Sequence, residues 1–148
     1  MKRGIILIPF IISNLVHAMT MRKSSYTTGL PLQPPSYVFG IVWSTIYFLY
    51  GTYLYNILYV SKEPFLSLIL LMWVFNFILN LSWSPIVFHH KKYTLGVYMI
   101  VLMMGSLIGM MMSTKNVLSK NLLLPYLSWL ILALLLNVEL VKKKTAYK

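Results

Sequence analysis

Residues 64–88 read PFLSLILLMWVFNFILNLSWSPIVF, 25 positions without a charged side chain. Such a run crosses a ~30 Å hydrocarbon core as a tilted α-helix, the one open segment of chain that satisfies its own backbone N–H and C=O groups in lipid. Pro64 suits the first helical position, where no intrahelical N–H is needed. Within the run, Trp73, Asn76, Asn80, Trp83 and Val87 recur at spacings of three, four, three and four, and so share one face. An amide left in hydrocarbon costs on the order of 1–3 kcal/mol, whereas an interhelical hydrogen bond recovers about 0.6–2 kcal/mol, so this face is predicted to look into protein. Two uses of the amides remain open: joining helices, or forming a polar spot in an apolar cavity.

Apolar runs of similar length lie at 4–21, 36–60, 93–113 and about 120–141, which predicts an all-α integral membrane bundle of five transmembrane helices in one domain, 1–148. Hydrophobic residues make up 59% and charged residues 10% of the chain, against roughly 45–50% and about 25% in soluble domains. The first run follows Lys2-Arg3 and carries Val16-His17-Ala18, a small-residue pattern found at signal-peptide cleavage sites. Its length and the Arg22-Lys23 pair directly after it favour a retained span. The last run begins at Val117 or Leu122, with Pro125 either starting that helix or kinking its first turn.

The net charge of +11 comes from 13 basic residues set in short clusters at the ends of apolar runs, the placement of topology signals and headgroup anchors rather than of a nucleic-acid stripe. Lys2, Arg3, Lys62, Lys115 and Lys120 fall on one side of a five-span bundle, while Arg22, Lys23, Lys91, Lys92, Lys142, Lys143, Lys144 and Lys148 fall on the other. This bias puts the carboxyl terminus in the cytoplasm and, in a prokaryote, the chain in the cell membrane. No cysteine is present, which excludes disulfides, thiolate metal sites and a cysteine nucleophile. His89 and His90 lack the companions of a complete metal site and read as a solvated turn. Glu139 is the one acid near a span, Glu63 lies in a loop, and mid-membrane carboxylates for a proton relay are missing.

The second run aligns Ser36, Gly40, Trp43, Tyr47, Tyr50 and Leu54, and aromatic belts at the membrane boundary explain Tyr37, Tyr53, Tyr55 and Tyr59. Trp43 and Tyr47 lie deeper and need partners for their polar tips, from another helix or from a ligand. The fifth run aligns Tyr126, Trp129, Ala133 and Asn137. Three helices thus carry flat rings, amides and gaps, a combination that suits a cavity for a large flat hydrophobic ligand. Residues 22–35, rich in proline, read as its lid. Gly105 and Gly109 form a GxxxG step, read as a packing face with a dimer contact as a further use, and Met103, Met104, Met110, Met111 and Met112 read as adaptable packing.

The stretches PPSYVFGIVWSTIYFLYG (34–51), NFILNLSWSPIVF (76–88) and PYLSWLILALLLN (125–137) resemble the translocator protein family, the tryptophan-rich sensory proteins, over about residues 4–145. The resemblance implies a five-helix bundle, commonly dimeric, that binds tetrapyrroles such as protoporphyrin and heme as ligands without requiring a cofactor; animal members also bind cholesterol and synthetic ligands. It carries pocket roles to Trp43, Asn76, Asn80, Trp83, Trp129 and Ala133, beside which the stripes add Tyr47 and Tyr126. Arg22 and Lys23 are expected to neutralise ligand carboxylates. A receptor or sensor is the leading expectation. Light-dependent porphyrin breakdown at Trp43 and Trp129 is the enzymatic alternative, and passive transport of porphyrin or sterol-like molecules the other. The chain departs from the family where its first loop reads Ser25-Tyr26 and Pro31-Leu32-Gln33-Pro34-Pro35 without tryptophan, where Val138 follows Asn137, and where Met99 stands near a position that is often acidic.

Overall fold

The computed structural model describes residues 2–20 and 34–146, and every regular element among them is helical. A 3₁₀ segment at Lys2–Leu7 leads into α1 (Ile8–Thr20); α2 spans Ser36–Tyr59; α3 spans Leu66–Ser84 and continues as a π-helical turn at Pro85–His89; α4 spans Tyr93–Ser113; a short α5 (Val117–Asn121) precedes α6 (Leu124–Ala146). Pro64 and Phe65 form a turn ahead of α3, so Pro64 is not its first residue, and Pro125 is the second residue of α6.

Four stretches, Lys2–Met19, Leu66–His89, Tyr93–Ser113 and Val117–Ala146, are long and apolar enough to cross a membrane. Their outward faces are aliphatic, with Leu71, Ile78, Leu102, Ile131 and Leu135 exposed, while Asn76, Asn80 and Asn137 are buried. An exterior more apolar than the interior is the pattern of a chain whose solvent is lipid, and the protein is an integral, multi-pass membrane protein. α2 falls outside this set because its 24 residues include six tyrosines, a tryptophan and an asparagine in place of aliphatic side chains.

Backbones approach most closely along α3 and α4, along α4 and α6, and where α2 meets the 3₁₀ segment. Glycine permits two of these contacts. A Cβ at Gly51 would overlap the backbone of Ile6, and one at Gly96 would meet the side chains of Val87 and Asn137. The GxxxG pair divides: Gly109 faces Met72 of α3, whereas Gly105 faces open space. Met103 and Met110 are buried, while Met112 is exposed.

One end of the bundle is closed by polar contacts. Glu63, only 9% exposed, accepts the backbone N–H groups of Lys115 at 2.7 Å and Asn116 at 3.2 Å, tying the α2–α3 connection to the α4–α5 turn. Tyr53, expected in an aromatic belt, is instead fully buried, its hydroxyl 2.8 Å from that of Thr114. Close packing against the 3₁₀ segment and α5 removes this part of α2 from lipid. Removing the Glu63 carboxylate takes the acceptor from two part-buried N–H groups. Glu63→Ala is expected to destabilise the protein by about 1–3 kcal/mol, with Glu63→Gln less affected; thermal unfolding in detergent that does not distinguish either variant from the parent would exclude this role.

Candidate ligand-binding site

The opposite end of the bundle is open. Between α1, α2 and α3 lies a cavity of about 270 Å³, and a smaller one of about 30 Å³ reaches from it toward α6; both share Phe39, Trp43, Trp83 and Phe88 in their walls. The α2 stripe grades accordingly. Gly40 is exposed, Trp43 and Tyr47 are half-buried, and Tyr50 and Leu54 are buried.

The α3 stripe is buried along its whole length, from Trp73 through Asn76, Asn80 and Trp83 to Val87. Asn80 links three helices. Its Oδ1 accepts the Tyr47 hydroxyl of α2 at 2.7 Å, and its Nδ2 donates to the Tyr126 hydroxyl of α6 at 2.7 Å. Asn76 does not line either cavity and instead joins helices, its Nδ2 donating to the Met103 carbonyl at 2.9 Å and to Ser106 Oγ at 2.7 Å. Tyr50 fixes the next level by donating to the Trp73 carbonyl at 2.9 Å.

These bonds hold the rings in place. Trp43 stacks on Tyr47 with centroids 5.5 Å apart, and meets Tyr126 at 6.1 Å and Trp129 at 6.3 Å edge-on. Tyr126 is buried behind the wall; Trp129 and Ala133 line the smaller cavity, where Ala133 leaves the gap. Of the residues predicted for the site, Trp43, Tyr47, Asn80 and Trp83 line the main cavity, and Trp43, Trp83, Trp129 and Ala133 the smaller one. Arg22 and Lys23, and all of the expected lid but Pro34 and Pro35, lie outside the described residues.

Among the wall residues that escape the stripes are Ser13 and His17 on α1, Phe39, and Phe88. Phe39 was within reach of the sequence, four residues before Trp43 and so on the same helical face. Phe88 was not, since it follows Trp83 by five residues, off its face in an α-helix. Pro85 has no N–H for the Leu81 carbonyl, and the helix relaxes to π geometry, with the His90 N–H bonding the Pro85 carbonyl at 3.0 Å. The wider turn brings Phe88 edge-on to Trp83, centroids 5.6 Å apart.

A helical, membrane-spanning bundle with an aromatic cavity at one end is thus the class that fold and site define. Residues 5–142 match the TspO/MBR family, and the chain belongs to it. No curated protein matches the chain by sequence.

The Asn80 clamp is separable from the ring contacts. Asn80→Ala is expected to cost about 1–3 kcal/mol, and a double-mutant cycle of Asn80→Ala with Tyr47→Phe should show a coupling of about 0.6–1.7 kcal/mol. Strict additivity in detergent unfolding would mean that the Tyr47–Asn80 bond contributes no stability.

Proposed function

We propose that the protein is a membrane receptor or sensor that binds a flat hydrophobic ligand of the tetrapyrrole class, protoporphyrin or heme, in the cavity between α1, α2 and α3. The observation that carries this reading is the facing set of rings, with Trp43 stacked on Tyr47 and bordered by Trp129, Trp83, Phe39 and Phe88. Flat rings bury a large apolar area against a planar ligand without charge. The volume of about 270 Å³ lies at the small end of ligand sites. A macrocycle therefore enters by one edge, and α1, whose apolar stretch is only 11% buried, gives way to the remainder.

In this reading α2, 24 residues long, is a fifth span, and the surplus of lysine and arginine at the open end places the carboxyl terminus in the cytoplasm. Arg22 and Lys23 neutralise the ligand's carboxylates from the connection that follows α1. The outward face of α4 around Gly105, open to close approach, is the surface of a homodimer within the lipid.

Titration of the purified protein with metal-free protoporphyrin should quench tryptophan fluorescence saturably. Trp43→Ala/Trp129→Ala should weaken binding by about 1–3 kcal/mol, by analogy with other aromatic stacking contacts, and Ala133→Phe should obstruct the smaller cavity. Absence of saturable quenching, or equal binding by the double variant, would remove the proposal. The 6.3 Å contact of Trp43 with Trp129 in the cavity walls favours one second reading, photo-oxidative porphyrin breakdown, in which an excited porphyrin takes an electron from an indole and dissolved dioxygen serves as the oxidant that attacks the macrocycle. Illumination should then bleach bound porphyrin faster with the parent than with Trp129→Phe; equal rates with and without protein would end that reading.

A further inference from the structure

The open end of the bundle carries a concentration of positive charge that the aromatic cavity does not use. Lys91 and Lys92 stand in the turn between the π-helical end of α3 and α4, and Lys142, Lys143 and Lys144 near the end of α6; all five are exposed. Two contacts bring these segments together. Lys144 Nζ donates to the Lys91 carbonyl at 3.1 Å and lies over the Tyr93 ring, 5.6 Å from its centroid. The chain has two acids. Glu63 is engaged at the closed end, so Glu139 is the one left to offset these lysines, and it balances at most one charge in five. Lysines at a helix C-terminus complement its dipole, and lysines at the end of a span mark topology. Neither role calls for the folded-back contact of Lys144, or for a lysine at position 91, where φ is 53°. Glycine or asparagine adopts that left-handed conformation at less cost, so Lys91 points to a use for its side chain.

Depth in the membrane defines the rest of the partner. α4 and α6 are long and apolar enough to span, so their lysine-bearing ends lie at the level of the lipid headgroups. Directly inward, α4 exposes Leu95 and Tyr98, and α6 exposes Leu135, about two turns before Lys142. A soluble anion meets only the lysines, whereas a phospholipid also lays its acyl chains along these apolar side chains. We propose that Lys91 and Lys92, with Lys142, Lys143 and Lys144, form a binding site for an anionic phospholipid, whose headgroup bridges the α3–α4 turn and the end of α6. Basic clusters at the ends of spans attract anionic headgroups in general; here the Lys144 contact joins two such clusters into one surface. Its occupation requires no ligand in the aromatic cavity.

The test uses the full chain in phosphatidylcholine vesicles with a trace of spin-labelled phosphatidylglycerol or spin-labelled phosphatidylcholine, and reads the motionally restricted fraction of each label. The parent should prefer phosphatidylglycerol by on the order of fivefold, a ratio that falls as salt rises. Lys91→Gln/Lys92→Gln/Lys144→Gln should bring the ratio close to one. Lys92→Gln/Lys142→Gln, which leaves both the Lys144 contact and the turn at Lys91 intact, should lower it by a smaller factor. At the closed end, Lys62→Gln/Lys115→Gln/Lys120→Gln should leave it near the parent's value. A phosphatidylcholine fraction equal to the parent's shows that a variant is folded and inserted. A parent ratio of one, an unchanged ratio in both open-end variants, or an equal loss from the closed-end variant overturns the site. Displacement of the phosphatidylglycerol label by inorganic phosphate beyond that by chloride at equal ionic strength identifies a soluble-anion site and overturns the lipid assignment.

Discussion

The carboxamide of Asn80 holds three helices at one level, accepting from Tyr47 on α2 and donating to Tyr126 on α6, each at 2.7 Å. In hydrocarbon these groups have no water to turn to, so separating the helices leaves polar atoms unpaired. α2 and α3 are accordingly joined by tyrosine side chains, Tyr47 to Asn80 and Tyr50 to the Trp73 carbonyl, rather than by close backbone packing. A tyrosine is long enough to keep two helices apart while fixing their distance. The space between α2 and α3 beyond Asn80 follows from that separation, and the rings of Trp43 and Tyr126 are stationed by the same bonds.

The two ends of the bundle divide the work of stability and of binding. At the closed end Glu63 ties two connections together, Tyr53 meets Thr114, and Gly51 lets the 3₁₀ segment lie against α2. Gly96 brings α4 against Asn137 and Val87, while the Asn137 side chain donates to the Tyr93 carbonyl at 2.6 Å. With α3, α4 and α6 braced in this way, the walls that α3 and α6 contribute to the two cavities are held in place. α1 is the exception, with Leu15 and Met19 largely exposed. Among the cavity's walls, α1 is therefore the one that contributes least to the core.

Periodicity made the α3 face legible, since lipid gives an asparagine no alternative to the interior and the five stripe residues are all buried. It could not choose between the two uses of an amide, and the structure divides them: Asn76 joins α3 to α4, while Asn80 both joins helices and borders the cavity. Two further features depend on contacts between distant segments that no local pattern encodes. Tyr53 resembles a belt residue until the chain end folds over it, and Glu63 resembles any loop acid until the α4–α5 turn presents two N–H groups to it. Hydropathy identifies α1 as a span, but its periodicity carries no sign that Ser13 and His17 face a cavity.

The interior hydrogen bonds constrain recognition. Asn76, Asn80, Tyr47 and Tyr50 all bond to protein, while the indole N–H groups of Trp73 and Trp83 are buried without a hydrogen-bond partner among the described residues. The aromatic walls thus offer flat apolar surface and few directional contacts, which favours any planar hydrophobic molecule of suitable width over one chemical species.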